Sequence, residues 1–171
     1  LRGLGERFTG FPYDVQQGLM GDYQQVIASG AALTQAPTHG QAMMILLDGL
    51  QPWRETTLVL DSFHILPLLG LFGEAEPILP VHLLDSDAFI NLGTVVPVVS
   101  DVPEGVMVLS MNVAMASGKA YDVDVPMGSL RRLIVPSGER VTLTLDPIPE
   151  ADAGAGPGVK RCIRVKGGSL G

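Results

Sequence analysis

Near residue 78 the sequence changes its punctuation, and that change limits the chain to a fold built from two kinds of layer. Before it, apolar runs alternate between strand length and helix length. After it, strand-sized runs follow one another closely, separated by glycine and proline turns. The expected class is therefore α+β: a small strand-helix-strand-helix α/β layer over residues 1–79, then an antiparallel β barrel or sandwich over 80–171. The stretch Glu76–His82, with Pro77 and Pro80, is the expected linker. No internal repeat stands out.

In the front part, Val26–Ala28 reads as a short strand running into Ser29-Gly30. Thr38 to Leu47 reads as a helix with Thr38 as N-cap, Gln41 as its capping-box partner and Gly49 as the stop. Its run from Ala42 to Leu47 is apolar almost all round, so burial on several sides is expected. Thr56–Leu60 has the look of a buried strand, and Asp61-Ser62 caps a second helix over Phe63–Phe72. In the back part the expected strands are Leu92–Val99, Val106–Val113, Ala120–Val125, Leu130–Val135, Arg140–Leu145 and Arg161–Val165. Tyr121–Val125 and Val141–Leu145 alternate apolar and polar residues as half-buried strands do.

Hydrophobic residues make up 46% and charged residues 17% of the 171, which argues for a folded chain. No apolar stretch reaches the roughly 20 residues of a membrane span, so no membrane partner is expected. The opening LRGLGERF lacks the apolar core of a signal peptide. The single cysteine, Cys162, excludes an internal disulfide and fits a reducing cytosol, so the expected compartment is cytoplasmic. Net charge is −7, yet residues 1–116 hold three bases against twelve acids, while 117–171 hold eight against six. Lys160, Arg161, Arg164 and Lys166 flank Cys162, Ile163 and Val165 as in a strand with a solvated face. One basic run with few aromatics makes no nucleic-acid footprint, so no nucleic-acid partner is expected.

Candidate chemistry is sparse. His39, His64 and His82 fall in no metal-ligand spacing. Asp85 with Asp87, and Asp122 with Asp124, could each share a strand face; Asp61 and Asp101 stand singly. All read as solvated turn or strand residues unless an apolar wall shifts a pKa. Ser29-Gly30 does not meet the nucleophile-elbow pattern. Cys162 reads as a partly buried structural thiol, and one of Arg131 and Arg132 must point away from the core. The glycine-rich Ala153–Gly158 lacks a P-loop ending and reads as a mobile turn.

Several strings occur in order across the chain: VIASGAALTQAP, GQAMMILLDGLQP, LVLD, ILPLLG, NLGTVVPV, VPMGSLRRL, DAGAGPG and VKGGSLG. Together they resemble the carboxy-terminal part of the MutL proteins associated with glutamate mutase, members of the actin, Hsc70 and sugar-kinase superfamily. In that superfamily a strand ending in a glycine pair packs its backbone beside the adenosine of ATP. The matching positions are Ala28, Ser29, Gly30, Ala31 and Ala32, with Asp22 just upstream. The resemblance thus implies Ser29, Gly30 and Ala31 as the adenosine-side backbone. Ala31 stands where a second glycine is usual, and its methyl would hinder close approach or a positive φ.

The resemblance also implies a portion of a longer protein whose phosphate-binding half lies elsewhere. Such a portion has no catalytic residues, no metal site and no cofactor of its own, with ATP bound only by the full-length chain. Its implied role is to support a coenzyme B12-dependent mutase through protein contact, with homo-oligomers forming through exposed strand edges. Two alternatives stand beside it: nucleotide-binding or ATPase activity in the full-length chain, and a small-ligand-binding β-barrel module.

Overall fold

The computed structural model of the chain describes residues 23–76, 78–84 and 86–170, the side chains of residues 72–75 excepted. The fold is α+β, with a three-stranded mixed sheet and its helices followed by a four-stranded antiparallel sheet and a two-stranded one.

Strand β1 (Gln25–Ala28) leads through helices α1 (Ala31–Thr34) and α2 (His39–Leu50) to β2 (Thr56–Asp61), which pairs parallel to β1. A parallel pair needs such a crossover, because no tight turn can reverse the chain twice. Thr38 caps α2: its hydroxyl accepts the Gln41 N–H at 3.2 Å, and its own hydrogen faces the Gln41 side-chain oxygen. The helix runs through Gly49 and ends at Gln51, whose left-handed backbone (φ 46°) turns its N–H back to the Leu47 carbonyl. Only Ala42 and Leu46, one turn apart, are buried, while Met44 and Ile45 are exposed. The apolar run therefore hides one stripe rather than several sides.

Strand β3 (Phe89–Val95) pairs antiparallel with β2 and completes the front sheet. These residues overlap the run expected to open the β module, so the front sheet draws on sequence beyond residue 79. A bulge opposite Leu58 and Val59 falls at Leu92-Gly93, where Gly93 takes φ 149°, a backbone that side chains rarely allow. One sheet face packs Leu58, Leu60 and Leu92 against Leu46 and Leu47. The other packs Val59 and Phe89 against Leu69 and Leu83 of α3 (Leu66–Ala75) and α4 (Ile78–Leu84). Residues 78–82 of the expected linker thus belong to a helix. Pro80 lies in its first turn, where a missing N–H loses no helical bond.

The back sheet has the order β6-β5-β7-β9, from β5 (Met107–Met115), β6 (Ala120–Pro126), β7 (Arg140–Pro147) and β9 (Arg161–Lys166). Strands β6 and β9 are edges, so the sheet does not close into a barrel. One face carries Leu109, Met111, Val113, Val141, Leu143 and Leu145, and burying each such side chain is worth about 1.5–3 kcal/mol. Ala153 and Val135 complete this core, next to the two-stranded sheet of β4 (Val99–Ser100) and β8 (Ala151–Asp152). Residues 130–135, expected as a strand, form none. Both sides of β7 are taken by β5 and β9, so this segment covers the sheet face through Val135 and Leu133 and leaves Leu130 and Ile134 exposed.

Among the described residues, β9 and the chain beyond it join the front and back sheets. Arg161 of β9 forms an ion pair with Glu55, just before β2, and donates to the Gly154 carbonyl at 2.9 Å. Beyond β9, Gly167 exchanges backbone hydrogen bonds with Gly138 and Glu139, and Ser169 donates its N–H to the Asn91 carbonyl of β3 at 2.7 Å.

Candidate functional site

Parallel pairing of β1 and β2 brings their carboxyl ends together, the place where open α/β sheets hold ligands. Ser29 follows Ala28, and Asp61 follows Leu60 in the neighbouring strand. The Asp61 side chain is fully buried. Its Oδ1 accepts the Ile65 N–H at 3.0 Å, and its Oδ2 accepts the Leu66 N–H at 2.9 Å and the Ser29 hydroxyl at 3.1 Å. Burial by itself pushes this carboxyl up, but hydrogen bonds from Leu66, Ile65 and Ser29, with the nearby His64, hold it below its ordinary value. Asp61 therefore stays ionised, its oxygens committed to the start of α3 and to Ser29.

His64 sits in the turn between Asp61 and α3 with a left-handed backbone, φ 56°. That conformation swings its ring across the β1–α1 turn. Nδ1 lies 3.3 Å from Ser29 Oγ, and Nε2 lies 3.2 Å from Thr34 Oγ1. Ser29 gives its one hydrogen to Asp61, so Nδ1–H is the donor to Ser29. Thr34 is also within reach of the Gly30 carbonyl at 3.3 Å. A hydrolytic triad places histidine between serine and carboxylate so that the ring can take the serine proton. Here serine is in the middle and donates its hydrogen to the Asp61 carboxylate rather than to the ring. The constellation braces a turn; it does not activate a nucleophile.

What that brace holds open is the backbone of Gly30, at φ 125° with no atom beyond its chain neighbours within 4 Å of where a Cβ would stand. Ala31, by contrast, is the exposed first residue of α1 with an ordinary helical backbone. Its methyl does not oppose the turn, since the positive φ falls on Gly30. Thr34, which reaches the Gly30 carbonyl, also lines an open cavity of about 480 Å³ with Leu33, Pro37, Thr38, Leu60 and Ser62, within the size range of small-ligand sites. The Ser62 hydroxyl beside it is buried without a hydrogen-bond partner. Helix α1 is a single turn, so its N-terminus offers little dipole to a phosphate.

The remaining sequence candidates are scattered. Asp22 and Asp85 lie outside the described residues. His39 and His82 are exposed, as are Asp87 and Asp101. Asp122 and Asp124 share the outer face of β6, where Asp122 accepts from the Asn112 amide at 2.7 Å. Arg131 and Arg132 are both exposed. Cys162 is exposed rather than partly buried, because it lies on the outward side of β9 with Arg164 and Lys166. Lys160 pairs with Asp146 at 2.9 Å. Among the described residues no three His, Cys, Asp or Glu side chains gather as metal ligands would.

The glycine-rich segment 153–158, expected as a mobile turn, is wrapped around a carboxylate. Asp152 Oδ1 accepts the N–H groups of Gly154, Ala155 and Gly156 at 2.7, 3.1 and 2.9 Å. An array that could have cradled a phosphate is filled by the chain's own anion. The convergence of Ser29, Thr34, Asp61 and His64 was missed in the sequence. Its signal was the matching of two strand ends, IAS and VLD, which becomes visible once β1 and β2 are set parallel. No protein family, curated protein or solved structure matches the chain.

Proposed function

We propose that the chain is the nucleoside-recognising, non-catalytic carboxy-terminal portion of a cytoplasmic MutL-like ATPase-fold protein, and that it supports a coenzyme B12-dependent mutase through protein contact. The observation that carries this is Gly30: a bare, positive-φ backbone at the carboxyl end of β1, held by Ser29, Asp61 and His64 beside an open cavity. Such a backbone lets a flat ring approach closely, which is what the adenosine end of that fold requires. Asp61 offers no general base, because its oxygens are already engaged. Triphosphate-holding groups, and any hydrolysis, would come from the rest of the full-length protein.

Calorimetric titration with adenosine, ADP and ATP tests the nucleoside half. Binding of all three with similar affinity, abolished in Gly30→Val, is the expected result. Binding that depends on the triphosphate, or none at all, sinks it. The partner half is tested by affinity capture with a purified B12-dependent mutase; failure to retain the mutase in the presence and absence of ATP counts against it.

A further inference from the structure

A second cavity, of about 1010 Å³, lies between the front sheet and β9. Its front wall is the part of the front-sheet face that α3 and α4 leave uncovered, presenting Gln25 of β1, Thr57 of β2, and Asn91 and Thr94 of β3. Thr57 and Thr94 hydroxyls pair across the strands at 2.9 Å. The Asn91 side-chain oxygen is buried there with no hydrogen-bond partner, a state that native proteins seldom leave unexplained. The back wall is the outward side of β9, where Arg164 and Lys166 are exposed. Among the described residues neither has a carboxylate partner, whereas Arg161 is held by Glu55 and Lys160 by Asp146. Of the acids lining the cavity, Glu55 is thus neutralised and Asp87 is exposed. In a chain of net charge −7 this is a place where two cations without a carboxylate partner face hydroxyl and amide groups, with the Asp87 carboxylate also on the lining.

We propose that this cleft binds a small hydroxylated anion, of the sugar-phosphate or sugar-acid class. Arg164 and Lys166 take the anionic group, since a guanidinium and an ammonium both favour phosphate or carboxylate oxygens. Ligand hydroxyls face the Thr57–Thr94 pair and the Asn91 amide. A compact ligand fits better than an extended acidic peptide. The chain beyond β9 crosses to β3 through Gly167, Gly168 and the Ser169–Asn91 hydrogen bond, closing one end of the cleft to a strand running along β9. The proposal does not depend on the nucleoside crevice.

The chain carries its own reporter. Cys162, the only cysteine, is exposed and lines this cleft. The test measures the rate of Cys162 alkylation in the full chain with ribose 5-phosphate, gluconate, ribose, inorganic phosphate or a hexaglutamate peptide present. Ribose 5-phosphate or gluconate is expected to slow labelling at concentrations where ribose and inorganic phosphate do not; which of the two protects better separates phosphate from carboxylate. In Arg164→Gln/Lys166→Gln, the protecting concentration should rise about tenfold or more, the loss expected for charge-assisted contacts. Both positions are exposed, so the variant should melt as wild type does. Protection by hexaglutamate alone, equal protection in variant and wild type, or no protection by either sugar anion overturns the proposal.

Discussion

Ser29 donates its hydroxyl hydrogen to Asp61 across the neighbouring ends of two parallel strands, 32 residues apart in sequence. This bond ties the turn after β1 to the start of α3, because the same carboxylate accepts the Ile65 and Leu66 N–H groups. The anion thus serves as a brace at the mouth of the proposed nucleoside crevice.

Asp61→Asn is expected to cost about 2 kcal/mol or more at neutral pH, since charge-assisted acceptors become weaker and one amide N–H₂ faces donors. The folded-state carboxyl lies below its ordinary value of about 3.8. Its stabilisation is therefore complete above that value and is lost as pH falls through the lowered one. Urea melts between pH 7 and pH 2, followed by Trp53 fluorescence, should show the stability gap between wild type and variant closing at the acid end. A gap independent of pH would contradict the assignment.

His64→Gly relieves a left-handed backbone but removes the ring that spans Ser29 and Thr34. Stability should change by less than about 1 kcal/mol, because the relief offsets the exposed hydrogen bonds lost. Adenosine affinity should fall several-fold, since the turn that presents Gly30 loses its brace. Unaltered affinity would remove His64 from the site.

Two glycines in the closing KGG sequence answer to packing. A Cβ on Gly168 would overlap the Leu92 carbonyl and the Gly93 nitrogen, and one on Gly167 would overlap the Pro136 carbonyl. Gly168→Ala is expected to destabilise by about 1–3 kcal/mol. Gly49→Ala makes the control: Gly49 lies within α2, with open space around its Cβ position, and should gain about 0.5–1 kcal/mol. Thermal melts that moved both variants the same way would refute the distinction.

Asp152→Ala frees three N–H groups at once. Loss of about 2 kcal/mol is expected, with the 153–158 segment becoming the first site of proteolytic cleavage. Limited proteolysis with mapped fragments checks it; cleavage first elsewhere would show that Asp152 does not order the loop.

Local chemistry made much of this molecule legible in the sequence. The Thr38 cap, the strand at Thr56–Asp61, and the alternation of β5, β6, β7 and β9 depend on near neighbours and on period, so the residues themselves specify them. What the sequence could not decide was where each strand goes. Residues 89–95 have β character in any sheet, and only the partner left open beside β2 assigned them to the front. Residues 130–135 have it too, but no place beside β7 remained, so they became a cover. The Ser29–Asp61–His64 brace, the Glu55–Arg161 pair and the Asn91-lined cleft each join residues from distant parts of the chain. Periodicity carries no information about such meetings, because they exist only after loop closure has placed two surfaces at hydrogen-bond distance.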